Sequence, residues 1–229
     1  MKKLFLLDAM ALIYRAHFAF IKRPLINSKG MNVSAVSGFT STLWDILKKE
    51  QPTHIAVGFD LPGPTFRHDM YEPYKANREA QPEDISIAIP LIKQVIEAFN
   101  IPIVSCEGYE ADDVIGTLAK QAEKEGFQVF MMTPDKDYAQ LVSDNVFLYK
   151  PARTGNGAEI LGKTEILEKW GIDRVEQVID MLGLQGDAVD NIPGVRGIGP
   201  KTAQVLLKKY GSIEGVIEHA EELKGKQKE

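Results

Sequence analysis

The sequence contains one cysteine, Cys106, among 229 residues. That excludes an internal disulfide and a thiolate zinc cluster. Cys106 follows the apolar run IPIVS, so a packed thiol is the expected state. No run of ~20 apolar residues occurs, and no segment reads as a membrane span. The N-terminal MKKLFLLDAMALIYRAHFAF is apolar, but Asp8 and Arg15 interrupt it and no small-residue cleavage site follows, unlike a secretory signal. A cytoplasmic location without a membrane partner is the expectation. His17, His54, His68 and His219 are scattered and suggest no ligand set. There is no internal repeat and no low-complexity tract. Positive charge is not in excess either: the formal net charge is -5 at pH 7, which alone argues weakly against a nucleic-acid partner.

What is present is an ordinary globular composition, 44% apolar and 26% charged, enough for a real core. The length suits one large domain, or a core with an appended module. Charge is placed unevenly. Residues 107–144 hold nine acids and three Lys/Arg, whereas residues 1–50 hold eight Lys/Arg and three acids. An acidic centre beside basic flanks lowers the net charge and still leaves a surface that attracts phosphate.

Apolar runs and helical spacings alternate along the first part of the chain. KLFLL (3–7) reads as a buried strand ending at Asp8, and residues 9–19 have helical spacing. Residues 21–33 read as a loop. A helix from Ser34 to Glu50 follows, with Ser34 as its N-cap and Val36, Phe39, Leu43, Ile46 and Leu47 as its apolar stripe. HIAVGF is a second strand, ending at Asp60. Further strands are expected at IPIVSC, FQVFMMT and VFLYK, with helices over 83–99 and EADDVIGTLAKQAEKEG and a short one from Asp135 to Val142. Strands alternating with helices predict an α/β core, a mostly parallel sheet with helices on both faces, over residues 1–162. Residues 163–229 read as wholly helical, in four short units. Trp44, Trp170 and the strand phenylalanines are expected in the core.

In an open parallel sheet, functional groups collect beyond the carboxyl ends of the strands. Strand one ends in Asp8 and strand two in Asp60. Strand three leads to Glu110, Asp112 and Asp113, and strand four to Asp135 and Asp137. Single acids of this kind are commonly helix N-caps. Capping does not explain acids in neighbouring pairs, or an acid before a loop. Crowded carboxylates repel unless a cation sits between them, and hard oxygen ligands suit Mg²⁺ or Mn²⁺. Asp112 and Asp113 are successive on a helix start and diverge by about 100°, so each could face a different ion. Asp187 and Asp190 are spaced i, i+3, which on a helical turn places them on one face.

Two further stretches read as nucleic-acid contacts. In IPGVRGIGPKTAQVLL (192–207), Gly194, Gly197 and Gly199 make a tight turn before a helix whose first residue is Pro200. Backbone N–H groups there, with Lys201 and Thr202, suit phosphate. The spacing is not that of a Walker loop, and a grip on a DNA backbone without base readout fits better. The segment 61–82 has no clear period and interleaves Arg67, Lys75 and Arg78 with Phe66, Tyr71 and Tyr74. Aromatic faces stack on bases and cations hold phosphates.

GYEADDVIGTLA, TPDKDYAQLV, YKANR and GDAVDNIPGVRGIGPKTA together resemble the 5′-nuclease family: the N-terminal nuclease domain of bacterial DNA polymerase I, phage 5′ exonucleases and flap endonucleases. The resemblance covers nearly the whole chain and is nearest to the polymerase I domain. It implies a PIN-like or resolvase-like core with a helix–three-turn–helix module at 183–207, and a metal-dependent 5′-3′ exonuclease or flap endonuclease cutting DNA phosphodiesters. It implies that Asp8, Asp60, Glu110, Asp112, Asp113, Asp135, Asp137, Asp187 and Asp190 serve two or more Mg²⁺ ions. Lys75 and Arg78 match the pair contacting the scissile phosphate, and Tyr74 a base-stacking position. Residues 61–82 match the arch through which a 5′ single strand passes, and the helical module matches one that often binds K⁺. The implied substrate is DNA with a 5′ flap or overhang. The implied context is a monomeric, nucleoid-associated piece of a longer polymerase, with helices expected after Glu229. Ala9 departs from the family, which usually has glycine after the first Asp. A phosphatase of the haloacid dehalogenase type also ends strand one in Asp, but needs an Asp where Met10 stands. The remaining alternative is a non-catalytic DNA-binding module with a vestigial metal site, and the complete carboxylate set argues against it.

Overall fold

The LFLL run of β1 (Lys3–Asp8) is apolar on both faces because both faces of the strand are covered. The computed structural model describes residues 2–151, 157–223 and 225. β1 pairs in parallel with β2 (His54–Gly58) on one side and with β4 (Gln128–Met132) on the other. β3 (Ile103–Val104) extends the sheet beyond β2, and β5 (Val146–Lys150) and β6 (Glu159–Leu161) extend it beyond β4, giving the order β3-β2-β1-β4-β5-β6. The chain therefore builds outward from β1 in one direction, then crosses back to the other side of β1. The gap between β1 and β4 is the topological switch point, where open α/β sheets place their functional groups.

Packing follows the two-residue alternation of the strands. Phe5, Leu7, Val57, Phe130 and Met132 join one core with residues of α1 (Ala9–Ala19), α2 (Ser34–Asp45) and α4 (Glu83–Ala98). On α2 the buried set is Ala35, Phe39 and Leu43, continued by Ile46 in the π turn Ile46–Glu50, close to the stripe expected from the sequence. α5 (Ala111–Lys124) packs against β1, β2 and β4 and buries Ala111, Ile115, Ala119 and Ala122 at helical spacing. Phe5, Phe130 and Phe147 stand in register on adjacent strands and stack at centroid distances of 4.8 and 5.3 Å. Each such aromatic pair adds about 0.5–1.5 kcal/mol beyond simple burial.

Two compact units are distinguished: Met1–Thr65, Ala80–Tyr138 and Asn145–Ile160 form the first, and Phe66–Glu79, Ala139–Asp144 and Leu161–Glu229 the second. The segment 66–79, expected within the α/β core, groups instead with the helical unit. That unit contains α3 (Phe66–Met70), α6 (Lys163–Trp170), α7 (Gln177–Gln185), α8 (Pro200–Tyr210) and α9 (Ile213–Glu218). Among the described residues no helix is long and apolar enough to cross a membrane.

Several expectations are corrected. Strand three covers only Ile103–Val104, so Cys106 lies past the sheet and its thiol is exposed, not packed. Trp44 is 48% exposed on the outer side of α2, with the Lys48 ammonium 5.2 Å from its ring centroid. Ser34 is the first helical residue and not the N-cap; its hydroxyl accepts the Leu25 N–H at 2.9 Å. A strand pair in the region read as wholly helical was not legible either: β7 (Gly186–Asp187) and β8 (Ile192–Pro193) form an antiparallel ribbon between α7 and α8.

Candidate active site

Four acids meet at the switch point, each delivered by a different element. Asp8 ends β1, Asp60 follows β2, Asp112 lies in the first turn of α5, and Asp135 follows β4. Their electrostatic influence on one another is direct. Burial, then repulsion from Asp60 and Asp135, pushes the Asp8 carboxyl up to about 6 against hydrogen bonds that favour its charge. Burial, then Asp8, Asp135 and Asp60, pushes Asp112 up to about 7. Desolvation and like charges act in the same direction on a carboxylate.

Each acid is also held by a donor of its own. Asp8 is the N-cap of α1, with Oδ1 accepting the Ala11 N–H at 3.1 Å, and its Oδ2 accepts the buried Thr133 hydroxyl at 2.8 Å. Asp60 Oδ1 accepts the N–H of Ala111, the first residue of α5, at 2.9 Å. The acid at the end of one strand thus caps a helix 51 residues later, which explains why it precedes a loop. Asp112 Oδ1 accepts the Tyr138 hydroxyl at 2.8 Å. Asp135 Oδ1 accepts the Asp137 N–H at 2.9 Å, and the Asp135 N–H donates to Thr133 Oγ1 at 3.1 Å. Glu110 stands at the N-cap of α5, and Asp113 Oδ2 accepts its N–H at 3.0 Å. Capping and crowding are therefore not alternatives here: the same carboxylates do both. Ala9, in place of the family's glycine, lies in the first turn of α1 and is fully buried.

Among the described residues, no three His, Cys, Asp or Glu side chains gather closely enough to make a ready ligand set. The donor chemistry nevertheless fits a hard divalent cation. The site offers carboxylate oxygens, and the charges that raise Asp8 and Asp112 are all those of other aspartates.

In the helical unit the expected residues pair differently. Asp187 and Asp190 do not share a helical face. Asp187 ends β7 and its Oδ1 accepts the Val189 N–H at 2.9 Å, while Asp190 lies in the turn leading to β8. Asp190 accepts from Arg78 through Oδ1 and from the Tyr74 hydroxyl through Oδ2 at 3.2 Å, with the Lys75 ammonium 4.0 Å away. The backbones interlock as well. Lys75 N–H donates to Asp190 O at 3.0 Å, and Asn191 Nδ2 donates to Pro73 O at 2.7 Å. Lys75 and Asn191 both adopt left-handed backbone, φ 56° and 58°; asparagine visits this region readily, whereas a lysine held there costs about 1–2 kcal/mol. Tyr74, expected at a base-stacking position, is 5% exposed here, and its hydroxyl is the one that donates to Asp190. The Arg67 guanidinium lies over the Phe66 ring at 4.6 Å.

The glycine turn has its own necessity. A Cβ on Gly194 would stand 2.3 Å from the backbone of Gln185, and one on Gly186 2.3 Å from Gly194 N. β7 and β8 approach so closely that only glycine fits. Gly199 is the N-cap of α8, Pro200 begins the helix, Lys201 is exposed and Thr202 half-buried.

Sequence reasoning missed Thr133 and Tyr138. Their signal was faint: a hydroxyl residue at the end of strand four and an aromatic inside TPDKDYAQLV.

Acidic side chains at the switch point of a parallel sheet, with a helical module built on a glycine turn, define an α/β protein with an acidic site at its sheet edge. Comparison with known proteins gives the family. Residues 3–171 match the family described as 5′-3′ exonuclease, N-terminal resolvase-like domain, and residues 174–229 match 5′-3′ exonuclease, C-terminal SAM fold. The chain is 41% identical over 221 residues to a 5′-3′ exonuclease of Aquifex aeolicus, covering 96% of this chain and 74% of that one. It is 44% identical to DNA polymerase I of Bacillus caldotenax over 98% of its own length, and spans 25% of that relative. Among solved structures, a T5 5′-exonuclease with bound divalent metal ions (zinc) superposes with a TM-score of 0.78 at 24% identity, covering 99% of this chain and 82% of that one; the likeness is one of fold. The chain belongs to the 5′-3′ exonuclease family.

Proposed function

We propose that this chain is a structure-specific 5′ nuclease that hydrolyses DNA phosphodiesters at the acidic switch point, using two or more Mg²⁺ or Mn²⁺ ions. The observation that carries the reading is that Asp8, Asp60, Asp112 and Asp135 come within electrostatic reach of one another at the ends of different elements, where burial first and their mutual repulsion second push Asp8 up to about 6 and Asp112 up to about 7. Carboxylates perturbed by burial together with like charges cluster at functional sites. Asp8, Asp60, Glu110, Asp112, Asp113, Asp135 and Asp137, with Asp187 and Asp190, are the proposed ligands. When bound, divalent cations supply Lewis acidity towards water and the phosphate.

The chain's own residues do the rest. Lys75 and Arg78 take the scissile phosphate and offset its charge. Thr133, Ala11 and Ala111 donate to the carboxylates and keep them ionised and aimed. The glycine turn at 194–199, with Lys201 and Thr202, grips duplex backbone, with K⁺ as its proposed monovalent ion. The substrate is DNA with a 5′ flap or overhang. The relatives named DNA polymerase I support a place in a longer polymerase acting in Okazaki-fragment processing and repair, as a monomer at the nucleoid.

A labelled 5′-flap duplex incubated with Mg²⁺ or EDTA tests the reading. Wild-type protein is expected to cut only with Mg²⁺, whereas Asp113→Asn and Asp135→Asn lose cleavage and keep flap binding. Wild-type rates in both variants would sink the metal assignment. Absence of any Mg²⁺-dependent cutting, with DNA binding intact, would favour the vestigial module.

A further inference from the structure

Tyr138 has a place in the site that neither the sequence motifs nor the family description assigns. It is the second residue of the short 3₁₀ helix Asp137–Leu141, which follows β4, and it is 2% exposed. Its hydroxyl crosses to the start of α5 and donates to Asp112 Oδ1 at 2.8 Å. A buried phenol is costly unless its O–H finds a partner, and here the partner is an acid held among three others. The same device recurs immediately after β4. Thr133, fully buried, donates to Asp8 Oδ2 at 2.8 Å and accepts the Asp135 N–H at 3.1 Å. Two buried hydroxyls from the β4 end thus hold two carboxylates of the site, one at the end of β1 and one at the start of α5. A donor on one oxygen fixes the plane in which a carboxylate presents the other.

We propose that Tyr138, with Thr133 as its counterpart on Asp8, is a positioning residue of the metal centre, orienting Asp112 towards a divalent cation. This rests on the metal-dependent reading of the site. Partners that orient a ligand typically change metal affinity by 10–100-fold when removed.

The molecule supplies its own control. Tyr149 also donates a hydroxyl to a carboxylate, Glu50 Oε1 at 3.2 Å, at a position outside the acidic group. Tyr138→Phe and Tyr149→Phe each remove one oxygen and keep the ring. Mn²⁺ affinity is measured by titration calorimetry on wild type and both variants at one pH, with thermal unfolding in EDTA alongside. Tyr138→Phe is expected to weaken Mn²⁺ binding about tenfold or more, and Tyr149→Phe to leave it unchanged. Thr133→Val is expected to weaken it likewise, and Thr133→Ser to restore it. In cleavage assays the loss in Tyr138→Phe is expected in kcat at saturating DNA and to be recovered by raised metal concentration, with KM for DNA held. Mn²⁺ binding in Tyr138→Phe within twofold of wild type would overturn the positioning role alone. Wild-type protein that takes up no Mn²⁺ would overturn this role and the nuclease reading together.

Discussion

Arg78 donates a guanidinium N–H to Asp190, and the two residues belong to a pair of turns that interlock through side chains and backbone alike. One turn carries the cations assigned to the substrate's phosphate. The other carries an acid assigned to the metal. In this arrangement they neutralise each other, with Tyr74 and Lys75 completing the cluster. Arg78 is half exposed while Asp190 is largely covered, so the pair is partly screened by solvent. A phosphate presenting its own charge competes for the same donors.

That competition is measurable without metal. Asp190→Asn removes the negative charge that Lys75 and Arg78 share. In EDTA its affinity for a labelled 5′-flap duplex is expected to rise several-fold at low salt. The plot of log affinity against log salt is expected to steepen by about one to two, the contribution of one or two further phosphate contacts. Fluorescence anisotropy over a series of KCl concentrations reads both quantities. An unchanged slope would show that the ion pair does not compete with DNA.

Tyr74 separates an anchor from a stacking platform. A platform needs the ring and not the hydroxyl, so Tyr74→Phe should match wild type while Tyr74→Ala loses about 1–3 kcal/mol of DNA binding. An anchor needs the hydroxyl. We expect Tyr74→Phe already to speed hydrogen exchange at the Lys75 amide, which bonds to Asp190 O, by about fivefold or more, for the loss of roughly 1 kcal/mol of hydrogen bonding. Exchange rates equal to wild type would return Tyr74 to the stacking role.

The raised acids set a pH dependence with a definite sign. Asp8 and Asp112 have an ordinary value of 3.8 and are pushed up to about 6 and about 7 in the folded chain. Between about pH 4 and 7 the folded state holds protons that the unfolded chain has released, so stability falls as pH rises through that window. In EDTA the protein is expected to melt at higher temperature at pH 5 than at pH 8. A chain of this size shifts about 2–4 °C for each kcal/mol. Asp112→Asn should flatten the dependence and raise the melting temperature at pH 8. Added Mg²⁺ should stabilise wild type more at pH 8 than at pH 5, because its ligands must be ionised. A melting temperature in EDTA that rises from pH 5 to 8 in wild type and in Asp112→Asn alike would mean that these acids carry no such strain.

Local rules made the α/β core legible. KLFLL, HIAVGF and FQVFMMT are too apolar and too short for anything but covered strands, and the acid after each one marks the carboxyl edge. The switch point itself was not legible, because strand order depends on pairings between residues such as Leu4 and Val129 that no local pattern encodes. The carboxylates were found by type and position, but their holders were not. Thr133 and Tyr138 matter through distances of 2.8 Å to residues 125 and 26 positions away. The i, i+3 spacing of Asp187 and Asp190 misled for a related reason. A helical period says nothing once two strands pair, and the pairing of β7 with β8 was set by glycines whose close approach is a tertiary fact.

The three glycines of the turn are accordingly not equivalent. At Gly194 a methyl group would meet the Gln185 carbonyl at 2.3 Å and Gly186 N at 2.6 Å, and backbone on both sides leaves nothing to swing aside. Gly194→Ala must pry β7 from β8, so the cost is expected at or above the usual overpacking range of about 1–3 kcal/mol. At Gly199 nothing lies within 4 Å of the added carbon, and φ of −101° suits any residue. Gly199→Ser supplies an N-cap hydroxyl to α8 and should be neutral or slightly stabilising. Urea titrations followed by circular dichroism, with limited proteolysis to locate the opening, distinguish the two. Cleavage within 186–199 in Gly194→Ala, with duplex binding in EDTA reduced and Gly199→Ser unaffected, is the expected pattern. Equal tolerance of both substitutions would mean that the ribbon between α7 and α8 is looser than its backbone spacing requires.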